Sequence, residues 1–283
     1  MTKIQLRDYQ KEAVMLSLNN KKQLYCMRVG CGKTVCAMFS LRALFKRKLI
    51  NKALIACTKT AVNVFIEDFR DKAGIKLKAI ETDKAFFDFL KSDEKIGIIK
   101  HSMFDKIGND FVLLKRMENL VNDKNMQIGL VIDEAHKMQN TEGVTHEAYM
   151  RMQPLFENIY LYTATPYSSC LSQFYGLMCL IQPKLWKSKR DFFNNYIDEI
   201  NILDPKTHRV IRKEKVRYKN LKEFRNKIKF CTYFYYPPIP LVHVEHRVKL
   251  KDYTEYDKLC QGVLKEEDLE KIKEERSGKR LDG

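Results

Sequence analysis

The chain alternates short, almost unbroken apolar runs with longer stretches whose apolar residues recur every three or four positions. The runs are QLYCMRV (from Gln23), KALIACT (from Lys52), KIGIIKH (from Lys95), QIGLVID (from Gln127) and NIYLYTA (from Asn158). Between them lie TVCAMFSLRALFKRK, TAVNVFIEDFRDKA, AFFDFLKS and DFVLLKRMENLVND. Apolar runs without polar alternation suit strands buried on both faces, and the periodic stretches suit helices that cover those faces. The pattern predicts an α/β fold of three layers, a mainly parallel sheet flanked by helices. Ligands of such sheets gather at the carboxyl ends of the strands.

Beyond Pro166 the pattern changes. YSSCLSQFYGLMCLI (from Tyr167) and RDFFNNYIDEI (from Arg190) read as helices. A basic stretch follows, then an aromatic, β-like run, KFCTYFYYPPIPLVHVEHRVKL (from Lys229). The end of the chain, from Thr254, starts helical and becomes densely charged, as solvated helices and linkers are. The expected organisation is a lobe over 1–186, a basic and aromatic extension closing it over 187–250, and a charged helix or linker over 251–283.

Composition narrows the setting. No stretch approaches the ~18 apolar residues of a membrane span, and the opening MTKIQLRDYQ lacks the apolar core of a secretory signal. An intracellular protein, cytoplasmic or nucleoid and not bound to membrane, is expected. The eight cysteines form no C-x₂-C pair and read as reduced, buried small hydrophobes. His243 and His246 fall on opposite faces of an extended segment, which argues against a shared metal. The net charge of +16 is unevenly spread: Lys206 to Lys229 holds eleven Lys/Arg against Glu214 and Glu223. FKRKLINK (from Phe45) is a second cluster. Such an excess favours a polyanionic partner, although a solvated surface accounts for it equally well.

Two sites carry chemistry. In MRVGCGKT (Met27–Thr34), a glycine-rich loop follows a strand and opens a helix. Backbone N–H groups around Gly30, Cys31 and Gly32 can cradle phosphate oxygens, Lys33 can reach the β- and γ-phosphates, and the Thr34 hydroxyl can bind Mg²⁺. The full phosphate-loop pattern has a further glycine where Met27 stands, but Met27 removes none of these donors. In LVIDEAHKMQN (Leu130–Asn140), Asp133 and Glu134 stand just past a strand. Asp133 is placed to hold Mg²⁺, and Glu134 to orient or deprotonate an attacking water.

With these two sites the chain resembles the first RecA-like lobe of a superfamily-two helicase-type ATPase, most closely the Swi/Snf-like branch, with a DEAH-type second motif. LRDYQ (Leu6–Gln10) is similar to the family's opening segment, which implies adenine-side contacts for Arg7 and Gln10. GCGKT resembles motif I, ALIACTKTAVNVFIEDF resembles motif Ia with Thr58 replacing a proline, and IIKHSMF resembles the next nucleic-acid-contacting segment. The resemblance implies strand contacts for Lys59, Thr60, Lys100 and His101. DEAHKMQN resembles motif II. LYTATPYSS resembles motif III, and the resemblance implies that its Thr163, Ala164 and Thr165, with His136 of the motif II segment, couple nucleotide state to the bound strand. A weaker likeness runs on to Trp186.

The resemblance implies an ATP hydrolase, with ATP and Mg²⁺ as cofactors, that moves on nucleic acid, DNA favoured over RNA. It also implies a second RecA-like lobe, supplied by a longer chain or by a partner, because nothing after Trp186 resembles one. An arginine finger is worth roughly 10³–10⁵ in rate where it is used, so these residues alone are expected to bind ATP but hydrolyse it slowly. The alternative is a nucleotide-gated binding or scaffold module without turnover of its own.

Overall fold

The computed structural model describes residues 5–167, 171–204, 207 and 210–238. Helix α1 (Asp8–Asn19) leads into β1 (Lys22–Met27), α2 (Lys33–Lys46), β2 (Lys52–Cys57) and α3 (Ala61–Ala73). A three-residue strand, β3 (Lys78–Ile80), precedes α4 (Asp83–Lys91), β4 (Ile96–Lys100), α5 (His101–Asn109) and α6 (Phe111–Asp123). Then come β5 (Ile128–Ile132), a 3₁₀ turn at Ala135–Met138, α7 (Val144–Met152), β6 (Asn158–Thr163) and α8 (Leu171–Ile181). The rest is α9 (Lys189–Tyr196), β7 (Ile197–Leu203), β8 (Val210–Tyr218), α10 (Leu221–Ile228) and β9 (Thr232–Tyr235).

Among the described residues, seven strands form one sheet in the order β3-β4-β2-β5-β6-β1-β9, and every pairing in it is parallel. Alternation along the strands fills two cores. Leu24, Cys26, Leu54, Leu130 and Leu161 point to the side covered by α4 to α10. Tyr25, Met27, Ile55, Val131 and Tyr162 point to the side covered by α1, α2 and α3. This is the three-layer arrangement expected from the apolar runs, with each strand buried on both faces. Met27, where the loop pattern has a glycine, is fully buried in the second core.

Two stretches depart from the sequence reading, and a third bears it out. RDFFNNYIDEI is not one helix. It ends at Tyr196, and the isoleucine-rich IDEINIL continues as β7, paired antiparallel with β8. Isoleucines spaced three apart mimic a helical stripe, but β-branched side chains favour a strand once a partner strand is available. The basic stretch supplies that partner, since Val210–Tyr218 is β8. The aromatic run supplies β9, which extends the main sheet beside β1. The remainder of that run, His243, His246 and the charged end at 251–283 lie outside the described residues.

The described cysteines are free. Cys26, Cys31, Cys36, Cys57 and Cys231 are buried, and no metal-binding group of His, Cys, Asp or Glu occurs among the described residues. Burial pushes the Cys36 thiol up to about 12, as expected of an inert apolar side chain. No described helix is long and apolar enough to cross a membrane.

Lys52, counted above among the surface cations, is instead a buried structural one. Its ammonium donates to the carbonyls of Phe89 (2.8 Å), Ser92 (2.9 Å) and Glu94 (2.9 Å), at the carboxyl end of α4. It also lies 4.4 Å from the centre of the Phe89 ring. Burial lowers its pKa, yet three carbonyls and a helix terminus favour the charged form. Lys52→Met leaves those carbonyls without their donor and is expected to cost about 2–3 kcal/mol of stability, read from the urea midpoint. An unchanged midpoint would mean that water replaces the ammonium at no cost.

Candidate active site

Apart from Arg7 and Gln10, at the start of α1, the candidate residues fall at the carboxyl ends of adjacent parallel strands. The glycine loop leaves β1, Asp133 and Glu134 leave β5, and Thr163 to Thr165 leave β6, which lies between β1 and β5. Strands are spaced about 4.8 Å apart, so Lys33 and the carboxylates face each other across roughly 10 Å of sheet, within reach of a lysine and a triphosphate.

The loop is built for an anion. Gly30 (φ +81°) and Gly32 (φ +75°) sit in the left-handed region, and a Cβ on Gly30 would meet nothing within 4 Å. The first bond of α2 runs from Cys36 N–H to the Gly32 carbonyl (3.0 Å), so the amides from Gly32 to Val35 stand at the open start of the helix. Their partial positive charge adds to that of Lys33. At Gly32 a Cβ would lie 2.6 Å from Gln10 Nε2 and displace that amide from the loop, and the left-handed backbone there itself favours glycine.

Gln10 is buried and fully engaged. Its Nε2 donates to the Cys31 carbonyl (3.3 Å), and its Oε1 accepts from the Arg7 N–H (3.0 Å). The Tyr9 hydroxyl donates to the same Cys31 carbonyl (3.2 Å). Gln10 thus braces the loop from behind, while the Arg7 side chain is exposed.

The acidic pair is electrostatically tense. Burial, reinforced by the neighbouring Glu134 charge, pushes the Asp133 carboxyl up to about 6, and Lys33 pulls in the opposite direction. A half-buried carboxylate pair facing a single lysine is a donor set that suits a divalent cation. Glu134 itself adopts φ +51°, ψ +47°, a left-handed conformation that a non-glycine residue takes at a cost of order 1–3 kcal/mol. The surrounding structure holds it there. Its Oε2 lies 3.3 Å from His136 Nδ1, which lies 3.3 Å from Thr163 Oγ1. Thr163 Oγ1 in turn accepts from the Thr165 N–H (3.1 Å). The turn is also pressed against α8, where a Cβ on Gly176 would fall 1.8 Å from the Gln139 carbonyl oxygen.

The four residues assigned strand contacts lie on the other side of β5, at the ends of β2 and β4. Lys59 and Thr60 are exposed at the start of α3. Lys100 is half-buried and paired with Glu81 (3.4 Å). His101 is turned inward, its Nε2–H donating to the Asp133 carbonyl (3.0 Å), while its Nδ1 has no partner. Burial pushes its pKa down to about 4, so the imidazole is neutral near pH 7. The structure therefore joins His101 to the acidic pair and leaves Lys59 and Thr60 as the open surface. The sequence held no signal for this contact or for the brace by Tyr9.

The sequence profile of the DEAD/DEAH box helicase family matches residues 7–172. Chromodomain-helicase-DNA-binding protein 1-like of Danio rerio is 29% identical over 215 residues, which cover 69% of this chain and 19% of that protein. Nucleoside triphosphatase I of Amsacta moorei entomopoxvirus is 26% identical over 211 residues, covering 69% and 30%. The SWI2/SNF2 ATPase core of Sulfolobus solfataricus, solved in complex with dsDNA, shares the fold with a TM-score of 0.59 at 15% identity, covering 82% of this chain and 45% of that one. The chain spans less than half the length of each of these three proteins.

Proposed function

The chain belongs to the DEAD/DEAH box helicase family, and from that premise we propose that it is the ATP-binding motor lobe of a DNA-dependent ATPase, a duplex translocase or remodeller of the Swi/Snf-like kind. The observation that carries this reading is the loop of β1 facing Asp133 and Glu134 of β5 across one sheet, with Glu134 held in a strained backbone by His136 and Thr163.

In this reading the amides of Gly30 to Thr34 and the Lys33 ammonium bind the phosphates. Thr34 and Asp133 would hold Mg²⁺, which neutralises charge on the phosphate oxygens when bound. Glu134 orients the attacking water and takes its proton, its carboxylate kept in place by His136. Loss or gain of the γ-phosphate shifts Glu134, and His136 passes that shift to Thr163 and the segment after β6. Arg7 and Gln10 stand on the adenine side. A second RecA-like lobe would supply arginines and close over the nucleotide, as phosphoryl transfer depends on positioning and charge neutralisation.

Nucleic acid would be gripped through its backbone, independent of base sequence, by Lys59 and Thr60 and by the cations of 206–229. Four neutralised phosphates imply that duplex affinity falls roughly 10²-fold between 50 and 200 mM salt. Fluorescence anisotropy with duplexes of unrelated sequence measures this. A flat salt response would show that the basic excess serves solubility alone.

A further inference from the structure

Strand β9 touches both ends of the nucleotide site. Its backbone is zipped to β1, and Tyr235 O accepts from the N–H of Arg28, at the entry to the loop (3.1 Å). The Tyr235 ring stacks on Tyr9 with centroids 3.8 Å apart and planes 11° from parallel. Beside it the Tyr233 hydroxyl donates to the Tyr9 carbonyl (3.0 Å). Tyr9 in turn holds the loop carbonyl of Cys31, as described above. On the other side the Tyr236 hydroxyl donates to the Ala164 carbonyl (2.7 Å), between Thr163 and Thr165.

The contacts form two arms that meet at the segment after β6. One arm runs from Glu134 through His136 to Thr163. The other returns from Ala164 through Tyr236 and Tyr235 to Tyr9 and the loop. We propose that Tyr235 and Tyr236 are positioning residues that fix the loop and the segment after β6 relative to each other, so that nucleotide in the loop is felt at Ala164 without passing through the acidic pair. The proposal rests on reading the loop as an ATP site.

Two properties support this assignment over simple packing. Tyr236 is 44% exposed, so its hydroxyl is not forced onto Ala164 by burial and gains little from it as core. The Tyr9–Tyr235 stack joins residues 226 positions apart, at β9, the edge strand of the sheet among the described residues. An edge strand opens more readily than the centre of a sheet, so its protection reports sensitively on what it is tied to.

Hydrogen exchange of the whole chain, with and without the non-hydrolysable analogue AMP-PNP and Mg²⁺, tests this. In the wild type, nucleotide is expected to slow exchange in the loop (30–36), after β6 (164–167) and in β9 (232–236). Tyr236→Phe removes one oxygen from an exposed ring, so folding and loop protection should be unchanged. Protection of β9 and of 164–167 by nucleotide should drop about tenfold, the loss expected for one hydrogen bond in the second arm. Tyr235→Leu, which breaks the stack, should lose the β9 response and also weaken nucleotide binding several-fold. Protection confined to the loop in the wild type, or a Tyr236→Phe response identical to it, would overturn the proposal while leaving the ATP site intact. No protection anywhere would remove both.

Discussion

Exchanging Glu134 for glutamine is expected to leave ATP bound and nearly unhydrolysed. The amide matches the carboxylate in size and can keep its place near His136, 3.3 Å away in the native site. What disappears is the group that takes the proton of the attacking water. Positioned general bases contribute typically 10²–10⁴-fold, so single-turnover hydrolysis of pre-bound ATP should slow by about that factor. Nucleotide affinity should stay within about twofold, since Glu134 makes no phosphate contact in this account. The strained backbone at Glu134 is retained in the variant, which makes the comparison clean. A Glu134→Gln protein that turns over at the native rate would remove Glu134 from the chemistry.

Lys33→Ala should have the second largest effect, on binding. Its ammonium is the side-chain cation at the start of α2, whereas Arg28 is turned to the Pro237 carbonyl, and hydrogen bonds to charged groups contribute about 1.5–3 kcal/mol each. Losing contacts to two phosphates is therefore expected to weaken ATP roughly 30- to 1000-fold. The substitution should also raise the Asp133 carboxyl further, because Lys33 is the group that opposes burial and Glu134 there. Met27, by contrast, cannot report on the cradle. It is fully buried in the core between β1 and the helices α1 and α2, so changing it to glycine tests folding.

Much of this lobe was legible in the sequence because its strands are buried on both faces. Five of the seven sheet strands are apolar runs that stand out against amphipathic helices, and the motifs sit at their carboxyl ends as the fold requires. Short or interrupted elements were not legible. Strand β3 is three residues long, too short to show a period, and α5 and α7 hide behind motif-like segments rich in polar residues. The misreading of RDFFNNYIDEI has a different cause: isoleucine spacing fits both periods until the partner strand is known.

The site divides in the same way. Lys33, Asp133 and Glu134 are recognisable because their chemistry demands those residue types at strand ends. The brace of Tyr9 and Gln10 on Cys31, the inward turn of His101 and the ties made by Tyr235 and Tyr236 depend on contacts across as many as 226 residues. No local pattern encodes such contacts. The aromatic run around Tyr235 was visible as a strand, yet its role appears only once β9 is seen beside β1.

The central claim is that the β1 loop and the β5 acids form one Mg²⁺-dependent ATP site. Equilibrium titration of residues 1–283 with a fluorescent ATP analogue, with Mg²⁺ and then with EDTA, tests it most directly. The account predicts saturable binding of one nucleotide per chain, competed by ATP, weakened by EDTA and lost in Lys33→Ala. Absence of saturable binding, or equal binding by the Lys33→Ala protein, would contradict it.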